Sequence, residues 1–189
     1  IELLVENMDK DKVKNILSEL LTYEFESQSK EFILQKSKSI LKEINLCQRL
    51  EIVKQISSYR EKFGWEIPED YKPATWKQIK EINSNSLFTV GGHCVMHEVM
   101  STMSNDELRF VINKSIQSLR KNLGSFSGHY AYPEGGHQHF SERDIQLLKE
   151  NGVKCCPTAI PGINFAGDDP FKLKRNMVNF KYNGWNFNL

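Results

Sequence analysis

Leu87-Phe88-Thr89-Val90-Gly91-Gly92-His93-Cys94-Val95-Met96-His97 is the stretch on which the reading of this chain turns. Four β-prone residues end at two glycines, which stop a strand and let the backbone turn tightly. The prediction is a strand over 87–90 whose end delivers two imidazoles, four residues apart, from a loop. Neutral imidazole ligates zinc and related divalent metals, and a catalytic site with three protein ligands keeps a fourth position for water. His93 and His97 would supply two of the three. Spacing alone leaves a second reading open, in which they are unrelated polar loop histidines.

Working outward, Ser104-Asn105-Asp106-Glu107 is a capping box. It opens a helix with apolar residues at Leu108, Val111, Ile112, Ile116, Leu119 and Leu123, and Gly124 closes it. Tyr130-Ala131-Tyr132-Pro133-Glu134-Gly135-Gly136 ends another β-prone run in a turn. A second helix is expected over 141–151, with Gly152 as its stop. The order is strand, His loop, helix, strand, Tyr-Pro loop, helix, strand.

This succession resembles the polysaccharide deacetylase family, carbohydrate esterase family four, over roughly residues 73–178. His93-Cys94-Val95-Met96-His97 matches the family's His-Ser/Thr-x-x-His motif in spacing and in both ligands, with Cys94 in place of the hydroxyl residue. Tyr132-Pro133-Glu134-Gly135 keeps the Pro and Gly of its third motif. Ala131 stands where many members have Arg, and Glu134 where they have an aromatic residue. Also family-like are Thr75-Trp76-Lys77-Gln78-Ile79, leading into the His strand, and the closing Asp169-Pro170-Phe171-Lys172-Leu173-Lys174-Arg175.

The resemblance implies an α/β fold, an incomplete distorted (β/α) barrel of the polysaccharide deacetylase type with an N-terminal helical insertion. It implies a divalent metal, Zn2+ or Co2+, held by His93, His97 and an Asp at the carboxyl ends of the strands. The activity implied is metal-dependent amide hydrolysis that removes N-acetyl groups from a glycan or amino sugar, which would be the substrate partner. The peptide N–H of Glu134 would stand beside the developing oxyanion, where its side chain must point away to avoid opposing that charge, or Glu134 is a solvated turn residue. Tyr132 and Pro133 would line the sugar groove, although a Tyr packed within the loop reads equally well. His137 and His139 would lie within reach of the leaving amine as general acids, or be exposed loop histidines. Arg175 would orient a catalytic carboxylate, or be a surface Arg.

The family's first motif, Thr-Phe-Asp-Asp, supplies the catalytic base and the third metal ligand, and no such pair precedes His93. Asp168-Asp169, between Gly167 and Pro170, reads as a turn. The family's Leu-x-His motif is also absent. The expectation is therefore a C-terminal part of a longer protein, inactive alone, with the missing N-terminal segment as its partner. Cys94, Ala131 and Glu134 point toward an alternative, a non-catalytic glycan- or protein-binding relative. A zincin is disfavoured, because Cys94 occupies the Glu position of His-Glu-x-x-His and Gly91-Gly92 precede it.

Composition narrows the partners. With 25 basic against 24 acidic residues the formal charge is +1, which argues against a nucleic acid held through its phosphates. Hydrophobic residues at 39% and charged ones at 26% suit a globular chain of ordinary domain size. No stretch reaches the ~20 apolar residues of a membrane span. Cys47, Cys94, Cys155 and Cys156 show no zinc-like spacing and read as reduced thiols, which suits a cytoplasmic setting.

The first part of the chain reads as helices. Val13, Ile16, Leu17, Leu20 and Leu21 share one face, and Phe32, Ile33, Ile40, Leu41 and Ile44 form a wide stripe. Leu46, Leu50, Val53, Ile56 and Tyr59 follow on a third helix that Gly64 ends. Pro68 and Pro73 mark a linker. The expected division is a helical subdomain or insertion at 1–66 and the barrel part at 67–189.

Overall fold

The computed structural model describes residues 1–26 and 29–176. The chain divides into two compact units, Ile1–Pro73 and Ala74–Leu189.

Among the described residues the first unit holds the α-helices α1 (Glu2–Asn7), α2 (Lys10–Leu21), α3 (Lys30–Glu43) and α4 (Leu46–Phe63). Local chemistry sets their ends. The side chains of Asp9, Ser29 and Asn45 accept the backbone N–H groups of Lys12, Phe32 and Gln48 at 2.9, 3.2 and 3.0 Å, each satisfying a donor the helix leaves over. Gly64, at φ +65°, ends α4 in the left-handed conformation that suits glycine. Leu4, Val13, Leu17, Phe25 and Ile33 form the centre of the unit's core. Along α4, Ile56 is buried while Leu50 and Val53 remain exposed.

The two compact units divide after Pro73. Trp65 packs against the helical core, and Tyr71, in a short 3-10 turn, donates its hydroxyl to Glu6 at 2.8 Å. These contacts hold residues 65–71 to the first unit.

The second unit contains α5 (Trp76–Ser84), α6 (Asn105–Leu123) and α7 (Glu142–Glu150). Capping boxes open α5, from Thr75 and Gln78, and α6, from Ser104 and Glu107. At the start of α7 the Asp144 carboxylate accepts the Ser141 N–H at 2.8 Å. Asp144 is fully buried and paired with Arg143, whose guanidinium also donates to the carbonyls of Met100 and Met103. The core joins Leu108, Ile112 and Ile116 of α6 and Ile145 and Leu148 of α7 to Met100, Tyr130, Tyr132, Cys156 and Phe171.

Where strands are expected, the described residues contain two isolated parallel bridges, Gly92 with Tyr130 and His129 with Cys155. Gly92 N–H donates to His129 O at 2.9 Å, Ala131 N–H to Gly92 O at 2.8 Å, and Tyr130 N–H to Cys155 O at 2.9 Å. Three parallel segments thus lie side by side, joined through α6 and then α7. The strand predicted over 87–90 does not form. Phe88 N–H is taken by Asn85 O at 3.1 Å, Leu87 and Phe88 are exposed, and pairing begins only at Gly92. Glycine permits the close approach there: a Cβ on Gly92 would stand 2.3 Å from the Tyr130 ring, and one on Gly91 2.7 Å from His129 O.

Among the described residues no helix is long and apolar enough to cross a membrane. The four cysteines are free thiols.

Candidate functional site

The loop that carries the two histidines is set by buried groups beneath it. Immediately after the Gly92 bridge, Cys94 N–H donates to the hydroxyl of Tyr130 at 2.8 Å. The buried Glu98 carboxylate accepts Val95 N–H at 3.2 Å and Met96 N–H at 2.8 Å, closing the loop from its far end. Burial pushes the Cys94 thiol up to about 12, so it stays protonated, and pushes the Tyr130 phenol far above its ordinary range.

This folding brings the rings of His93 and His97 together, with centroids 4.8 Å apart and planes at 75°. His93 Nδ1 lies 2.9 Å from the Ala131 carbonyl oxygen. A carbonyl can only accept, so Nδ1 carries the proton and the lone pair sits on Nε2. His97 Nδ1 lies 3.9 Å from Glu134 Oε1. Four non-glycine residues among those described have left-handed backbones, and three of them, Cys94, His97 and Glu134, belong to this site. The strained positions therefore gather where the imidazoles meet.

Two adjacent imidazoles, one with its second nitrogen anchored on a carbonyl, are a donor set that fits a zinc-like ion. The set is partial: among the described residues, no group of three or more His, Cys, Asp and Glu is arranged to hold a metal. Asp168 and Asp169 serve their own turn, accepting Phe165 N–H and Phe171 N–H, each at 2.9 Å.

The Tyr-Pro loop contributes the remaining predicted residues. Tyr132 is 1% exposed, donates its hydroxyl to Phe171 O at 3.0 Å and stacks on Phe140 at 4.2 Å between centroids and 11° between planes. Of its two readings, the packed one describes the structure, since neither face of the ring is open to a sugar. Pro133 is also buried. Beyond it, Gly135 N–H donates to Pro133 O at 2.7 Å, and Ala159 N–H to Gly135 O at 2.9 Å. His139 Nδ1 accepts Gly136 N–H at 3.0 Å, which places its proton on Nε2, and His137 is exposed. The Arg175 guanidinium donates to Thr158 O, and its backbone N–H to Ile160 O at 2.9 Å. Both of these partners are carbonyl oxygens.

Three contributors escaped the sequence reading. Glu98 could have been noticed as an acid directly following His97. Tyr130 and Ala131 act through a buried hydroxyl and a main-chain oxygen, for which residue type gives no signal.

Residues 36–156 match the family model described as polysaccharide deacetylase. The match begins within α3 and ends at Cys156, whereas the motifs quoted above run on to Arg175. Among solved structures, the chain is similar to the Streptococcus pyogenes deacetylase PplD in complex with acetate, at 24% identity and a TM-score of 0.51, over 57% of this chain and 46% of that one. It is similar to IcaB from Ammonifex degensii at 24% identity and a TM-score of 0.50, over 60% and 51%. The BpsB deacetylase domain from Bordetella bronchiseptica matches at 21% identity and a TM-score of 0.50, over 60% and 52%. The chain spans about half the length of these structures, and at such identities the likeness is one of fold. No curated protein matches the chain.

Proposed function

The chain belongs to the polysaccharide deacetylase family, and from that premise we propose that it is part of a metal-dependent hydrolase that removes N-acetyl groups from a glycan or amino sugar. In this reading its parallel segments are a portion of a distorted (β/α) barrel, with the N-terminal helices as an insertion. The observation that carries the proposal is the convergence of the His93 and His97 rings at 4.8 Å on loops ordered from below by Tyr130 and Glu98.

His93 and His97 would hold the ion, zinc or cobalt, which when bound polarises the acetamide carbonyl and acidifies a water. The Ala131 carbonyl fixes the tautomer of His93. The peptide N–H of Glu134 is the donor assigned to the tetrahedral oxygen. The exposed His137 is the candidate for protonating the leaving amine, whereas His139, whose Nδ1 accepts the Gly136 N–H, is a neutral imidazole with no proton to spare. Arg175 is assigned to orienting the carboxylate that takes the proton from water. No Asp-Asp pair precedes His93, so in this reading that carboxylate and the third ligand would have to be supplied from elsewhere.

The partial donor set among the described residues favours a second reading, a non-catalytic relative that binds glycan or protein. The two are separated by acetate release from N-acetylglucosamine oligomers, measured on a zinc- or cobalt-loaded parent protein carrying the family's Asp-Asp motif, beside its H93A and H97A variants. Release that the variants lose supports the hydrolase. No release from the loaded parent protein rejects it in favour of the binding relative.

A further inference from the structure

We propose that Glu134 is a positioning residue for His97: its carboxylate, in ion-pair range at 3.9 Å from Nδ1, closes on that atom to accept its N–H and fixes the ring's tautomer. Residues 131–134 then hold both rings, since the Ala131 carbonyl does the same for His93. The inference rests on the metal-site reading above and deepens it.

The observations are independent of that reading's chemistry. The two Nδ1 atoms lie near oxygens three residues apart on one loop, Ala131 O at a hydrogen-bond distance of 2.9 Å and Glu134 Oε1 at an ion-pair distance of 3.9 Å. The Glu134 side chain is 22% exposed, held in rather than trailing in solvent. His97 and Glu134 both adopt left-handed backbones, at φ +57° and +61°, a conformation disfavoured for any residue with a Cβ. Glycine would relax position 134, and Gly135 follows it with the same sign of φ.

A carboxylate is a stronger acceptor of an imidazole N–H than a carbonyl, and it raises the basicity of the opposite nitrogen. With its proton on Nδ1, His97 carries its lone pair on Nε2, as His93 does. The arrangement also answers the concern that an acid beside the oxyanion would oppose catalysis, because the negative charge is directed onto the ring.

The test uses the whole 189-residue chain, free of metal, labelled with 15N and read by long-range 1H–15N correlation at a pH where the histidines are neutral. Wild type and E134Q are expected to show His97 as the Nδ1–H tautomer, because Gln keeps the acceptor oxygen, whereas E134A shifts toward Nε2–H. Zinc affinity, by competition with a chromophoric chelator, is expected to fall about 10- to 100-fold in E134A and less in E134Q. An unchanged His97 tautomer in E134A, or equal zinc affinity in E134A and wild type, overturns the proposal. H93A is the separate control. If it leaves zinc affinity intact, the metal reading fails and the tautomer alone decides the role of Glu134.

Discussion

The hydroxyl of Tyr130 accepts the backbone N–H of Cys94 at 2.8 Å, so a side chain buried on one parallel segment holds the loop that ends in His97. Tyr130→Phe keeps the ring and removes the acceptor, leaving a part-buried N–H without its bond. A stability loss of about 1–3 kcal/mol is expected in urea unfolding, with weakened zinc binding. A variant as stable as wild type would show that the loop is held by other contacts.

Gly92→Ala tests the close approach directly. The new methyl would stand 2.3 Å from a ring that is itself 2% exposed, so neither side can give without opening the core. The expected outcome is destabilisation of about 1–3 kcal/mol and a displaced Tyr130 ring resonance in NMR spectra. Unchanged melting and spectra would contradict the packing described.

Ser37 points the other way. Its Oγ is buried in the helical unit and has no hydrogen-bond partner among the described residues. Ser37→Ala removes a desolvated hydroxyl and raises helix propensity within α3, and should stabilise by about 1 kcal/mol. A lower melting temperature for S37A would show that the hydroxyl is satisfied in solution.

The capping box of α6 predicts an acid response. The Ser104 backbone N–H, and next its hydroxyl, hold the Glu107 carboxyl below its ordinary range. A depressed carboxyl contributes stability above its unfolded value near 4.5, and that contribution is lost as pH falls through the lower, folded value. Melting followed from pH 6 to pH 3 should therefore fall more steeply in wild type than in Glu107→Gln. Parallel curves would remove Glu107 from the acid response.

What the sequence displayed was local chemistry. Thr75 with Gln78, Ser104 with Glu107, and the stops at Gly64 and Gly124 could be read because each cap needs only its neighbours along the chain. Helix α1, six residues long, is too short to show a period. Strand pairing is non-local, and the apolar run at 87–90 says nothing about which residue will find a partner; Gly92 does, and Phe88 does not. The spacing of His93 and His97 was visible for the same reason as the caps. What surrounds them was hidden, because Ala131 contributes an oxygen that every residue has, and Glu134 meets His97 only once two distant loops are folded together.

The stacked pair of Tyr132 and Phe140 brackets residues 133–139 like a staple. A loop pinned at its base is a cassette: its exposed tip at Gln138 can change while the foundation beneath it stays put.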